Sequence, residues 1–205
     1  MEKYSTSIGP SRAGGRIIET ATRLFGRRWS VPVVATLYRE GPLRVSALQA
    51  RLGASSDTLQ ETLAGLRAHG ILVREGPRGA FSLTEHGREL GDVCNDAVVA
   101  VRESGLVSLA LRKWPMFVLV AASRGGSRFA NLMAMLPGIT PRALAMALKE
   151  LEREGLVERT IAETYPPSVA YRLAPRGWEL VSPMEALVAA CERLPPRAGP
   201  APTST

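Results

Sequence analysis

The sequence is poor in the residues that carry covalent and metal chemistry, with two cysteines and two histidines in 205 residues. Cys94 and Cys191 form no CxxC pair, and His69 and His86 form no HxxxH pair, so no zinc site is expected. No GxxxxGKS/T, GxGxxG or GxSxG stretch occurs, which removes the phosphate-loop, dinucleotide and nucleophile-elbow readings. With no nucleophile–base constellation either, the chain is not expected to be an enzyme and no cofactor is expected. No apolar run approaches the roughly 20 residues of a membrane span, and the apolar stretch 117–122 is far too short. The N-terminal stretch MEKYSTSIGPSRAGGR lacks a signal-type apolar core. A cytoplasmic, nucleoid-associated location is the expectation.

What is present is an apolar content of 45%, enough for a packed core, and a length that suits one large domain or two small ones. The net charge is +7 and the pI about 10.1. Lys3, Arg12, Arg16, Arg23, Arg27 and Arg28 stand against only Glu2 and Glu19 near the N-terminus, and residues 114–180 carry a smaller excess of cations. Such a balance favours a polyanionic partner, although ordinary solubility accounts for it too.

The chain also repeats itself. Trp29 and Trp114 each open an apolar segment, 85 residues apart. SSDTLQETLAGLRAHGILVR (55–74) matches TPRALAMALKELEREGLVER (140–159), placing Leu59, Leu63, Leu66, Gly70 and Arg74 on Leu144, Leu148, Leu151, Gly155 and Arg159. LTEHGREL (83–90) then matches LAPRGWEL (173–180).

Each copy predicts the same elements. An apolar helix (31–38, 116–122) and a Gly-rich turn lead to a short amphipathic helix carrying Val45, Leu48 and Leu52, or Phe129, Leu132 and Leu136. A longer helix ends at Gly70 or Gly155, where glycine suits a left-handed cap. Two extended pieces follow, 71–75 with 80–83 and 156–161 with 169–173, and a further helix starts near Thr84 or Pro175. Three helices and a β-hairpin make the winged helix-turn-helix plan. The expected fold is mainly α with small β-hairpin wings, in two tandem winged helix-turn-helix domains. The expected boundaries are a flexible basic arm (1–15), a degenerate first domain (16–90), a linking helix (91–113), a second domain (114–194) and a disordered Pro-rich tail (195–205).

The segments LKELEREGLVER and YPPSVAYRLAPRGWEL resemble the HxlR branch of the MarR-like regulators. The matching positions are Gly155, Leu156, Val157, Arg159, Pro166, Pro167, Val169, Tyr171, Leu173 and Gly177, with Trp114, Arg128, Phe129 and Leu132 upstream. The likeness covers 114–180 well and 29–90 less well, since copy one lacks the Pro-Pro wing and has Val45 in place of Phe. The resemblance implies a bacterial DNA-binding transcription regulator. Many such proteins carry a reactive Cys shortly before the Trp. Residues 20–28 and 104–113 contain none, so a thiol switch is not supported. The basic residue that often follows Pro-Pro is Ser168 here.

The longer helix of each copy is where specificity would lie. In copy two, Thr140 suits an N-cap and Pro141 a first turn. A helical wheel sets Leu144, Ala147, Leu148 and Leu151 on one face and Arg142, Met146, Lys149 and Arg153 opposite, flanked by Ala145. This ridge suits a major groove, with Arg142 at a base edge and Lys149 and Arg153 at phosphates. Arg128 and Ser168 are the remaining candidate contacts. The equivalent ridge of copy one is Asp57, Glu61, Ala64 and Ala68, a loss of most direct DNA contact. Secondary contacts there would fall to Arg44, Ser56, Gln60 and Arg78. Arg44 and Arg128 suit structural ion pairs equally well.

Trp29 and Trp114 read as core anchors, His69 and His86 as caps or surface residues, and Cys94 and Cys191 as small buried hydrophobes. Met116, Met133, Met135 and Met146 read mostly as core filler. A small-molecule effector pocket is expected between the copies or at the dimer helices, and no residue names a ligand. Two assemblies remain open. The preferred one is a homodimer through the apolar C-terminal helix (Val181, Met184, Leu187, Val188, Leu194). The other is a monomeric pseudo-dimer. The rival function is a tandem winged-helix protein-interaction module that does not touch DNA.

Overall fold

The structure, a computed structural model, describes residues 12–77, 79–162 and 168–193. Copy one comprises α1 (Arg12–Phe25), α2 (Ser30–Glu40), α3 (Val45–Leu52), α4 (Ser56–Ala68), β1 (Leu72–Arg74) and β2 (Phe81–Leu83). Then come α5 (Glu85–Glu103) and the short α6 (Val107–Ala110). Copy two comprises α7 (Pro115–Ser123), α8 (Phe129–Met135), α9 (Pro141–Arg153), β3 (Val157–Ala162), β4 (Ser168–Leu173) and α10 (Pro175–Arg193). The fold is mainly helical with two small antiparallel hairpins, two winged helix-turn-helix units in tandem.

The repeated glycines explain how each long helix hands over to its wing. Gly70 and Gly155 have φ of +71° and +68°. Each lets the next amide reach back to close a six-residue cap: Ile71 N to Leu66 O at 3.0 Å, and Leu156 N to Leu151 O at 2.9 Å. The carbonyl oxygen of Ile71 or Leu156 then accepts from the amide of Thr84 or Ala174, both at 3.0 Å. A Cβ on Gly87 or Gly177 would lie 2.2 Å from that same oxygen. The glycine of each LTEHG and LAPRG stretch is therefore required by close approach of a helix to a strand start.

The wings differ in size. β1 and β2 pair over three residues, from Leu72↔Leu83 to Arg74↔Phe81. β3 and β4 pair over six, from Val157↔Leu173 to Ala162↔Ser168. A residue before each short helix adds a third strand-like bridge, Leu43↔Phe81 and Arg128↔Ala170.

One apolar core runs through both copies. α5 packs against α2 of its own unit and along α10 of the other, while α1 crosses to lie on α10 and touches α7 and α8. Several expectations change accordingly. The linking helix starts at Glu85 and breaks at Gly105 (φ +73°), and it belongs to the cores of both units. Residues 12–15 of the expected arm lie in α1, and residues 1–11 fall outside the described residues. The tail 195–205 and Leu194 lie outside them too. The apolar face of α10 is not free to pair two chains: Val181, Met184, Leu187 and Val188 are buried within this one. The C-terminal helix is amphipathic because it serves an internal partner.

Candidate nucleic-acid interface

The geometry starts at the turn before α9. The Thr140 Oγ1 accepts from the Ala143 amide at 3.2 Å, an N-cap bond, and Pro141 occupies the first turn, where its missing N–H costs nothing. Leu144, Ala147, Leu148 and Leu151 are buried, so the opposite side must face solvent. Pro141, Arg142, Ala145, Met146, Lys149 and Arg153 are all exposed, and Met146 is 51% exposed despite being apolar. Met146 is therefore not core filler, whereas Met116 and Met135 are buried.

The cations of this ridge differ in their freedom. Among the described residues, Arg142 and Lys149 have no carboxylate partner. Arg153 is partly spent locally, its Nη2 3.0 Å and its Nε 3.3 Å from the neighbouring Glu154 Oε1. At this exposure the pair is weak, and a phosphate can compete for the guanidinium. Arg128 caps α8 beside the wing, is exposed, and takes no ion pair among the described residues. Arg44 stands likewise before α3. The structural ion pair allowed for these two arginines is not formed among the described residues.

The wing adds two arginines that are not among the candidate contacts. Arg159 and Arg172 are exposed on paired strands, Arg159 opposite Tyr171 and Arg172 opposite Glu158. Alternation with Leu173 is a signal for Arg172 alone. Arg159, two residues from Val157, shares the face of Val157 and is exposed because residues 158–161 run out past the core. Ser168 begins β4. Pro166, Pro167 and Arg78 lie outside the described residues.

Copy one presents the same surface with other chemistry. Asp57, Glu61, Ala64 and Ala68 are exposed along α4. Glu61 accepts from Arg27 Nη1 at 3.0 Å. The Gln60 Nε2 donates to Ser56 Oγ at 3.3 Å, so these two polar residues partly satisfy each other. Ridge geometry is kept in both units while the cations are concentrated in the second.

The remaining polar residues settle into structural roles. The His69 Nδ1 lies 2.8 Å from the Gly65 oxygen, and His86 is at the surface 3.9 Å from Glu89. Burial pushes the Cys94 thiol well above its ordinary range, with the nearby Cys191 adding to the effect. Burial, reinforced by Glu192, pushes Cys191 up to about 12, and its Sγ donates to the Leu187 oxygen at 3.2 Å. Trp29 and Trp114 pack half-buried against the core. Arg28 lies 5.0 Å above the Trp29 ring and Lys113 4.6 Å above that of Trp114.

Two helices joined by a tight turn, the second exposed on one side and backed by a hairpin, define a winged helix-turn-helix protein, here duplicated. Comparison with known proteins places it further. The model of the HxlR-like helix-turn-helix family matches residues 24–100 and again 109–197, and the chain belongs to that family. A helix-turn-helix-type transcriptional regulator of Methanothermobacter thermautotrophicus is 35% identical over 104 residues, covering 49% of this chain and 74% of the relative. The helix-turn-helix-type transcriptional regulator YtfH of Escherichia coli is 33% identical over 75 residues, 37% of this chain and 60% of its own length. YvaP of Bacillus subtilis, of the same description, is 30% identical over 83 residues, 40% of this chain and 77% of its own. A solved structure of a MarR-family transcriptional regulator from Enterococcus faecalis V583 has 32% sequence identity and a TM-score of 0.36, covering 48% of this chain and 81% of the other. The family model thus matches both copies, including the first, where the sequence resemblance is weaker.

Proposed function

We propose that the chain is a sequence-specific regulator of transcription that binds double-stranded DNA by inserting α9 into the major groove. The observation that carries this reading is the outward ridge of Arg142, Met146 and Lys149, whose two cations have no carboxylate partner among the described residues. Arg142, near the helix start, contacts a base edge, best a guanine. Ala145 and Met146 offer apolar contact to bases or sugars. Lys149, Arg153 and Arg128 meet phosphates, which orient the protein without specifying sequence. Ser168 approaches the backbone from the wing. The acidic and empty ridge of α4 makes the first unit the weaker reader.

With the apolar face of α10 covered by α1 and α5, one chain acts as a pseudo-dimer. Light scattering of the pure protein checks this, and a stable dimer of chains would overturn it. The test of the function is a gel shift on genomic fragments with a salt titration. Phosphate-borne affinity must fall steeply with salt. Absence of binding to every duplex at low ionic strength overturns the reading. The carboxylates on α4 favour one second reading, a unit that docks a basic protein partner, and that outcome would leave duplex DNA unbound.

A further inference from the structure

A cavity of about 300 Å³ lies where the two copies meet, a size at the lower end of small-molecule sites. Its lining follows the 85-residue repeat: Arg27, Arg28 and Val31 face it from copy one, and Arg112, Lys113 and Met116 from copy two. The space is therefore lined by equivalent positions of both units. Its deeper walls are apolar, with Val101, Phe117 and Leu187 among them. The charged lining is of one sign, cationic, with Arg51 and Arg102 joining those already named and no carboxylate present.

Three of these cations are engaged from behind, Arg27 by Glu61 at 3.0 Å, Arg51 by Glu40 at 2.9 Å and Arg112 by Glu150. Arg28, Arg102 and Lys113 have no carboxylate partner among the described residues. An apolar chamber with an unneutralised cationic mouth complements one ligand chemistry. A cationic ligand is repelled by it. A neutral one gains burial but no ion pair.

We propose that this cavity binds a hydrophobic carboxylic acid, with its ring or branched body against Val101 and Phe117 and its carboxylate among Arg28, Arg102 and Lys113. The site deepens the regulator reading and rests on it for its meaning. Arg27 holds Glu61 on α4 and Arg112 holds Glu150 on α9, so the mouth is tied to both reading helices. A carboxylate there competes for Arg112 and loosens its hold on α9. Acid and operator affinities are then linked, and the linkage is reciprocal.

The test uses the full chain without DNA and calorimetry with 2-naphthoic acid, neutral 2-naphthamide and cationic 2-naphthylmethylamine. Naphthoate is expected to bind one per chain, about tenfold or more tighter than the amide, and the amine not to bind. Arg102→Gln with Lys113→Gln, both exposed and checked by unchanged melting, removes that preference and leaves the amide's affinity alone. Equal binding of acid and amide, indifference to the double substitution, or no naphthoate binding overturns the site. A parallel operator gel shift reads the linkage. Naphthoate binding without any DNA binding would leave the cavity standing and remove the regulator. Naphthoate binding with unmoved operator affinity would remove the linkage alone.

Discussion

Replacing Arg142 by alanine is the sharpest probe of the proposed interface. Its side chain is exposed at the start of α9 and has no carboxylate partner in the described protein, so truncation disturbs neither packing nor an ion pair. Any loss must then come from DNA. A well-placed arginine–guanine contact discriminates by about 1–3 kcal/mol, about 5- to 150-fold in affinity. The loss is expected to be largest on the true operator and small on unrelated duplex, which is relaxed specificity. Lys149→Ala, by contrast, removes a phosphate contact. It should weaken all duplexes alike and flatten the plot of log K against log salt by about 0.9. Arg153→Ala should flatten it less, because Glu154 at 3.0 Å already offsets part of that charge. Asp57→Ala on α4 should leave affinity unchanged or slightly raised. Fluorescence anisotropy at fixed and then varied salt measures all four. If Asp57→Ala costs more than Arg142→Ala, the assignment of the reading head to copy two is refuted.

Three further outcomes follow from packing. Gly177→Ala should destabilise by about 1–3 kcal/mol in chemical denaturation, because its methyl would sit 2.2 Å from the Leu156 oxygen, a backbone atom already bonded to Ala174. A melting point equal to the parent's contradicts that close approach. Ser30→Ala should stabilise by roughly 1 kcal/mol, a rise of a few degrees in Tm, since the buried Ser30 Oγ has no hydrogen-bond partner among the described residues. A fall in Tm would mean that the hydroxyl is satisfied. Cys94 and Cys191 should resist iodoacetamide at neutral pH until the chain unfolds. Burial raises both thiols, so the stability they confer is intact below their ordinary value of 9.0 and is lost as pH climbs towards about 12 for Cys191. Cys191→Ala should flatten that alkaline decline, measured by thermal melts across the range.

Much of the local structure was legible because local rules governed it. Gly70 and Gly155 announced helix ends, Thr140 and Pro141 a helix start, and the leucine spacing of α9 its buried face. The solvent ridge followed by subtraction. What sequence could not carry was the identity of each partner. The apolar stripe of α10 reads the same whether a second chain or α1 covers it, and the end of α1 at Phe25 lies far from the start of α10 at Pro175 in the sequence. The ties from Arg27 to Glu61 and from Arg112 to Glu150 join residues 34 and 38 positions apart. The doubled pattern Arg27-Arg28-Trp29 and Arg112-Lys113-Trp114 was a visible hint that these residues had a common task. Met146 reads as core filler by residue type, but its place on the wheel sets it outward, where it is found.

The shared helix α5 has a consequence for dosage. Partners that must meet before gripping an operator separate on dilution, so their occupancy rises with the square of scarce protein. Here the two heads are covalently joined and share one core, and their mutual concentration is fixed by the chain itself. On the proposed pseudo-dimer reading, occupancy should climb in simple proportion to the amount of protein, and the two half-sites beneath the heads would be free to differ.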